Sequence, residues 1–292
     1  MGLKPATNPD VEAASIELSI DGKTVTAKDG VSLYDVISMT GKVIPAMCYH
    51  YTFDPFGNRI HHFGLHELHD SLTVNATSLV ECAEQARPVD PTPWEEVVRQ
   101  LDGARDDLAL DAGFFRSATS IVDLPGLGTR LHELAEPSFG PGVGVVEAID
   151  DLCHRIHDGF AFDAGFTEVS TPLRDVLAAR RGVCQDFAHL MIGCLRTVGL
   201  AARYVSGYIE TVPPPGQERL VGADASHAWC SVWTPMAGWV DLDPTNGLMP
   251  ADRHVTVAWG RDYADVTPVR GVVIGPATTQ RLEVSVDVER VA

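Results

Sequence analysis

A chain of 292 residues, 45% hydrophobic and 21% charged, is long enough for two packed cores of ordinary size, and no apolar run approaches the roughly 18 residues that a membrane span needs. Its 22 basic and 40 acidic residues give a net charge of −18, which repels phosphate backbones and argues against nucleic acid as a partner. Six cysteines (Cys48, Cys82, Cys153, Cys184, Cys194 and Cys230) are scattered without a Cys-x-x-Cys pair in a chain too large to need staples, so free thiols are expected, one of them reactive.

Residues 1 to 15 are polar, contain Pro5 and Pro9, and read as a loose tail. Met1 to Ser19 carries Lys4 but no apolar h-region, so a cytoplasmic protein without a membrane association is expected. Ile16-Glu-Leu-Ser-Ile-Asp-Gly-Lys-Thr-Val-Thr-Ala27 alternates around Asp21-Gly22, a hairpin signal. Ser32 can cap a short helix containing Leu33, Val36 and Ile37, which leads to Ile44-Pro-Ala-Met-Cys-Tyr-His50. Those residues resemble the start of a [2Fe-2S] ferredoxin-like domain. Such a cluster takes four ligands, and Cys48 is followed by no cysteine until Cys82, so a β-grasp-like packing element without a cofactor is expected.

Phe53 to Asn58 reads as a turn, and the stretches Arg59 to Phe63 and Asp70 to Glu81 as two strands, together the later part of an antiparallel β-sandwich. His61, His62, His66 and His69 crowd here. Adjacent strand residues point to opposite faces, which keeps His61 and His62 from sharing one ion, so no metal site is expected. Pro88, Pro91 and Pro93 mark a linker, Trp94 to Leu101 a short helix, and Leu110 to Phe139, with Pro125-Gly126, a mixture of helix and loop.

Val143 to Phe160 is helical through Val146, Ile149, Leu152, Cys153 and Ile156, and Pro172 starts a further helix. The next helix begins near Cys184. Phe187, Leu190, Met191, Cys194, Leu195 and Val198 recur at helical intervals and predict one buried face, with Gly199 closing the helix as its left-handed C′ residue. Cys184 therefore falls in the first turn, where unpaired N–H groups and the positive dipole end favour a thiolate. Asp186 suits the dipole as a capping residue, and His189 lies on another face and reads as structural. Cys153, Cys194 and Cys230 read as small buried hydrophobes.

Ala201 to Glu210 is a strand, residues 226 to 234 and 239 to 243 form a hairpin that brings His227 near Asp243, and Leu282 to Val288 reads as a last strand. A cysteine, a histidine and an aspartate in that order fit covalent catalysis: a nucleophile, its acid-base partner and the group that orients it. Asp241, two residues before Asp243 on the same strand face, is the rival for the third role, and Gln185 and Trp229 are placed to shape the cleft.

Arg181-Gly-Val-Cys-Gln-Asp-Phe-Ala-His189, Ala202-Arg-Tyr-Val-Ser-Gly-Tyr208, Ser226-His-Ala-Trp229, Gly238-Trp-Val-Asp-Leu-Asp-Pro-Thr-Asn246 and Gly260 to Gly271 resemble the bacterial transglutaminase-like family of papain-type thiol enzymes. The resemblance implies an α+β core, a nucleophile helix packed on an antiparallel sheet, over residues 143–292. A smaller mostly-β N-terminal domain over 1–87 and a linker and helical segment over 88–142 precede it. It also implies catalytic residues Cys184, His227 and Asp243, no cofactor, and a peptide or protein amide as substrate. Hydrolysis by a peptidase or amidase is the expected outcome; protein-glutamine transglutamination, amide formation by an acyltransferase, or a non-catalytic binding scaffold are the alternatives.

Overall fold

The computed structural model describes residues 15–20, 23–28, 50–64, 71–82, 86–168, 170–210, 226–272, 281 and 283–290. The chain divides into two compact units, Met1–Glu81 and Cys82–Ala292.

In the first unit β1 (Ser15–Ile20) is flanked by β2 (Lys23–Lys28) and β5 (Leu72–Thr77), both antiparallel to it, in the order β2-β1-β5. The expected hairpin is present as β1 and β2. Both strands expected after the turn are present: β4 (Arg59–His62) pairs with β3 (His50–Phe53), a strand the sequence reading missed, and β5 with β1. The turn between β3 and β4 explains the first pairing. Asp54 Oδ1 accepts from the backbone N–H of Phe56 and Asn58, and Gly57 takes φ 88°, which folds the chain straight back on itself. The segment carrying Ser32, Cys48, and also His66 and His69, lies outside the described residues.

The second unit is built around one helix. Its elements are α1 (Trp94–Asp102), α2 (Asp107–Gly113), α3 (Leu124–Ala135), α4 (Val145–Gly159), β6 (Ala161–Phe162), α5 (Leu173–Ala179), β7 (Arg181–Gly182), α6 (Cys184–Thr197), β8 (Ala202–Ile209), β9 (Ser226–Thr234), β10 (Gly238–Leu242) and β11 (His254–Gly260). The last four strands form an antiparallel sheet ordered β10-β9-β8-β11. The segment 88–142 lies within this unit and contains α1, α2 and α3. The expected mixture of helix and loop over Leu110 to Phe139 includes α3, which Pro125-Gly126 starts: Pro125 needs no backbone donor in a first turn, and Asp123 caps the helix by accepting from Gly126 N–H at 3.0 Å.

Helix α6 carries the predicted apolar residues on the interior, Leu190, Met191, Cys194 and Leu195 being fully buried. The expectation of a single buried face is too narrow, since every residue from Asp186 to Arg196 is buried. Strand β9 covers one side and α3 the other. The approach of α3 depends on Gly193, where an added Cβ would stand 3.0 Å from Leu131 Cδ1. Polar residues of this helix are therefore enclosed too and need partners. His189 Nε2 accepts from Tyr263 N–H at 3.1 Å, and burial, helped by the Arg196 charge, pushes its pKa down to about 3, so it is a neutral structural acceptor. Arg196 donates to four backbone carbonyls, those of Phe115, Ser117, Ala202 and Arg261, at 2.6 to 2.9 Å. Gly199, at φ 87°, ends the helix as expected.

In β11 the pairing slips by one residue, Thr256 facing Gly207 and Ala258 facing Ser206, so that Val257 is bulged out and half-exposed. The stretch expected as a final strand has no regular strand among residues 283–290; Arg290 there bonds Glu210 and Asp252.

Candidate active site

Cys184 is the first residue of α6 and is partly accessible. What aims it is the turn before it. Val183 is the extended N-cap residue, and its N–H donates at 2.9 Å to Asp186 Oδ2, which also accepts from Thr167 Oγ1 at 2.7 Å. Asp186 is thus a cap, as its position predicts, and net burial holds its pKa above the usual carboxylate value. Gly182 makes room: a Cβ there would lie 2.7 Å from Asp186 Oδ2. Ahead of it Arg180 adopts the left-handed region, φ 51°, and ends α5. The parallel pair β6 and β7 then fixes Arg181 and Gly182 opposite Ala161 and Phe162.

His227 is the second residue of β9, opposite Gly207 of β8. At Gly207 a Cβ would sit 2.2 Å from Val255 O and 2.4 Å from Trp229 Cη2, so only glycine lets β8, β11 and the indole close up beside the histidine. His227 Nε2 lies 2.7 Å from Asp243 Oδ2, and the Cys184 side chain hydrogen-bonds the same imidazole. With Nε2 committed to Asp243, Nδ1 is the ring nitrogen left to the sulfur. The structure therefore brings together all three residues singled out from the sequence. Asp241 is not among them: its carboxylate accepts from Trp229 Nε1 at 3.1 Å and pins that ring beneath the site.

Asp243 follows β10 directly and is fully buried. Its backbone exchanges two hydrogen bonds with Leu248, and the loop between is fastened to α4, where His157 Nδ1 donates to Thr245 O at 2.9 Å. Both carboxylate oxygens are saturated. Oδ1 accepts from the N–H groups of Thr245 and Asn246, while Oδ2 accepts from His227, from Asn246 Nδ2 at 2.6 Å and from His254 Nε2 at 3.0 Å. Burial alone would raise the Asp243 pKa, but the bonds from His227 and His254 outweigh it and hold the carboxyl ionised well below the usual range. Burial likewise works against a charge on His227, yet the bonds from Asp243 and Cys184 and their charges carry its pKa up to about 9.

Asn246 and His254 are the two members of this cluster that the sequence reading did not assign. Asn246 closes the Asp-Pro-Thr-Asn stretch quoted for its resemblance, so a signal existed. His254 had none, because its contact joins residues at opposite edges of the sheet, after β10 and at the start of β11, with β9 and β8 between. His227, Asp243 and His254 also place three donor atoms within 4.8 Å of one another. Their separations of 2.7 and 3.0 Å are hydrogen-bond lengths, shorter than the roughly 3.3 Å between ligands of a tetrahedral zinc with bonds of about 2.0 Å. The arrangement reads as a proton-ordering chain.

The sequence model of the Transglutaminase-like superfamily matches residues 134–244, which include Cys184, His227 and Asp243. An uncharacterised protein of Mycobacterium tuberculosis (strain H37Rv) is 41% identical over 244 residues, 80% of this chain and 75% of that protein. A Mycobacterium leprae protein, also uncharacterised, is 32% identical over 254 residues, 86% and 85% of the two chains. A protein-glutamine gamma-glutamyltransferase of Pseudomonas aeruginosa matches locally, 39% over 72 residues, 24% of this chain and 11% of that one. Among solved structures, a candidate cysteine protease from Cytophaga hutchinsonii shares the fold with a TM-score of 0.56 at 20% identity, over 88% of this chain and 80% of that one. No helix among the described residues is long and apolar enough to cross a membrane.

Proposed function

We propose, for a chain that belongs to the transglutaminase-like superfamily, a thiol-dependent enzyme that cleaves amide or peptide bonds through a thioester on Cys184. The observation that carries this reading is the continuous chain from the Cys184 thiol through the His227 imidazole to the buried Asp243 carboxylate. Cys184 Sγ attacks the carbonyl carbon after giving its proton to His227, and the carbonyl becomes an oxyanion that the Cys184 backbone N–H, at the helix start, is placed to receive. The C–N bond then breaks and His227 returns the proton to the leaving amine. Water attacks the thioester, passes a proton to His227, and releases a carboxylic acid and the free thiol. Asp243 fixes the imidazole tautomer and its charge. An amine in place of water gives transamidation, and the local likeness to a protein-glutamine gamma-glutamyltransferase favours keeping that second reading.

Limiting iodoacetamide at neutral pH, followed by peptide mass mapping, tests the nucleophile. Cys184 is expected to react first. Burial pushes the thiols of Cys153, Cys194 and Cys230 up and closes them off, and Cys82, though exposed, has no imidazole bonded to it among the described residues. Faster alkylation of Cys82 than of Cys184 would sink the assignment. A library of peptide and glutamine substrates, with and without added amine, separates hydrolysis from transfer.

The raised His227 pKa sets the alkaline side of the pH profile. Turnover requires the imidazolium as proton donor, so activity is expected to persist above pH 7 and to fall as pH rises through about 9. The fold follows the same sign: the His227 contribution to stability is complete below its ordinary value near 6.5 and is lost as pH rises through about 9. An alkaline limb centred near 6.5 in kcat/KM would mean that the ion pair with Asp243 does not form.

A further inference from the structure

We propose that His254 is a fourth member of the site, a positioning residue that acts through Asp243: as an uncharged Nε2–H donor it keeps the buried carboxylate ionised and moderates its hold on the His227 proton. The proposal rests on the thiol-enzyme reading above. His254 begins β11, and its side chain is 5% exposed. Its ring stands edge-on to Trp229, 5.2 Å between centroids at 86°, and the indole is itself tied by Nε1 to Asp241, so the imidazole has little freedom to turn.

The tautomer follows from its two nitrogens. Nε2 faces Asp243 Oδ2 at 3.0 Å, and an ionised carboxylate only accepts, so the proton sits on Nε2. Nδ1 is buried and has no partner. A bare lone pair in that position costs less than an N–H deprived of an acceptor, which argues against a second proton there. His254 therefore brings a hydrogen bond to Asp243 without bringing a positive charge. A cationic ring would compete with His227, 5.8 Å away, for the same oxygen.

The groups that bear on this balance are few. His227 feels Asp243 and Cys184, with Trp229 and His254 as ring neighbours. Asp243 feels His227, His254 and Asn246, and it is felt at longer range by the buried thiols Cys153 on α4 and Cys230 on β9. Deleting the His254 donor leaves its share of the Oδ2 charge to the bond with His227, which then holds its proton to higher pH. A packing residue of the same shape would leave that titration where it was.

The full chain is tested in two arms. In the wild-type protein, nitrogen-15 chemical shifts of the histidine rings at pH 7 are expected to show His254 protonated at Nε2 and bare at Nδ1; a proton on Nδ1 overturns the proposal. In the second arm the rate of Cys184 alkylation by iodoacetamide is followed from neutral to strongly alkaline pH, with the site of reaction mapped by mass spectrometry. The inflection reporting His227 is expected to move up by about half a unit in His254→Phe, which lacks the donor, and to stay in place in His254→Gln, whose amide supplies one. An inflection that does not move, or moves down, in the Phe variant overturns the proposal, as does an equal shift in the Gln variant. Should Cys184 show no preferential alkylation in the wild type, the enzyme reading itself fails, whereas the ring-nitrogen arm still judges the His254 bond.

Discussion

Asp243→Asn is expected to lose turnover almost as completely as Asp243→Ala, on the order of 10³-fold, within the range of general acid-base catalysis and toward the 10⁴-fold scale of the corresponding change in a serine triad. Thiol enzymes of this general type can work with an asparagine in the third place, because the thiol and imidazole already share a charge pair, and sequence alone would therefore suggest tolerance. The five hydrogen bonds at Asp243 argue otherwise. Oδ1 and Oδ2 both face donors and only donors. An asparagine amide has one oxygen and one NH2, so in either orientation the NH2 confronts the backbone N–H pair or the ring and amide donors. Full burial leaves no water to absorb the mismatch. Asp241→Asn, whose carboxylate accepts from Trp229 and touches no member of the chain, is the control and should keep most of its rate. Steady-state rates on the best library substrate, with circular dichroism of each variant, decide the matter. An Asp243→Asn enzyme within about tenfold of wild type, or an Asp241→Asn enzyme as impaired as it, would show that the third role is misassigned.

Arg196→Met is expected to destabilise the second unit by about 3 to 5 kcal/mol, the usual cost of breaking a buried charged network. Arg196 is 4% exposed, and its guanidinium donates to carbonyls from three places: the 3₁₀ turn Phe114–Arg116 with Ser117 after it, β8, and Arg261 after β11. Burial lowers its pKa to about 10, with Asp262 supporting the charge, so it remains fully charged at neutral pH. Methionine has nearly the length but no donor, and it strands four carbonyls. Arg196→Lys should recover only part of the loss, because one ammonium cannot reach in the several directions a planar guanidinium spans. Thermal unfolding should fall by on the order of 10 °C for the Met variant in a unit of this size. A drop of less than about 2 °C would mean that water replaces the donors.

How far the chain could be read without coordinates depends on how local each feature is. Cys184 was legible because a helix period, a glycine before it and a glycine after it all lie within one stretch, and His227 and Asp243 because one hairpin with an obvious turn sets their register. Around Pro125-Gly126 only a mixture of helix and loop was legible, because proline ends a helix in its interior but begins one in its first turn, and the Asp123 cap tells the two apart. The turn over Phe53 to Asn58 was legible, whereas β3 before it was not, since four residues are too few to show a strand period. The burial of α6 on every side could not be seen, since what encloses it is distant in sequence: Leu131 of α3 against Gly193, Tyr204 and Tyr263 against His189, and the carbonyls of Phe115, Ser117, Ala202 and Arg261 around Arg196. His254 was the least legible. Nothing in the chain between Asp243 and His254 marks their contact, which joins side chains from the two outer strands' ends across β9 and β8.

The slipped pairing between Thr256 and Ala258 makes the length of β11 part of the site, beyond its composition. In a strictly alternating strand His254 and Trp259, an even and an odd position, would face opposite ways. The extra residue puts both on one side, so that the same strand delivers an imidazole to Asp243 at one end and, at the other, an indole stacked 4.6 Å from the Arg203 guanidinium. Shortening the strand by one residue there would force a choice between them. A half-exposed valine, whose side chain a substitution scan would score as nearly neutral, thus acts as a spacer whose presence matters and whose identity does not. Insertions and deletions, not point changes, are the variation this edge of the protein has least room for.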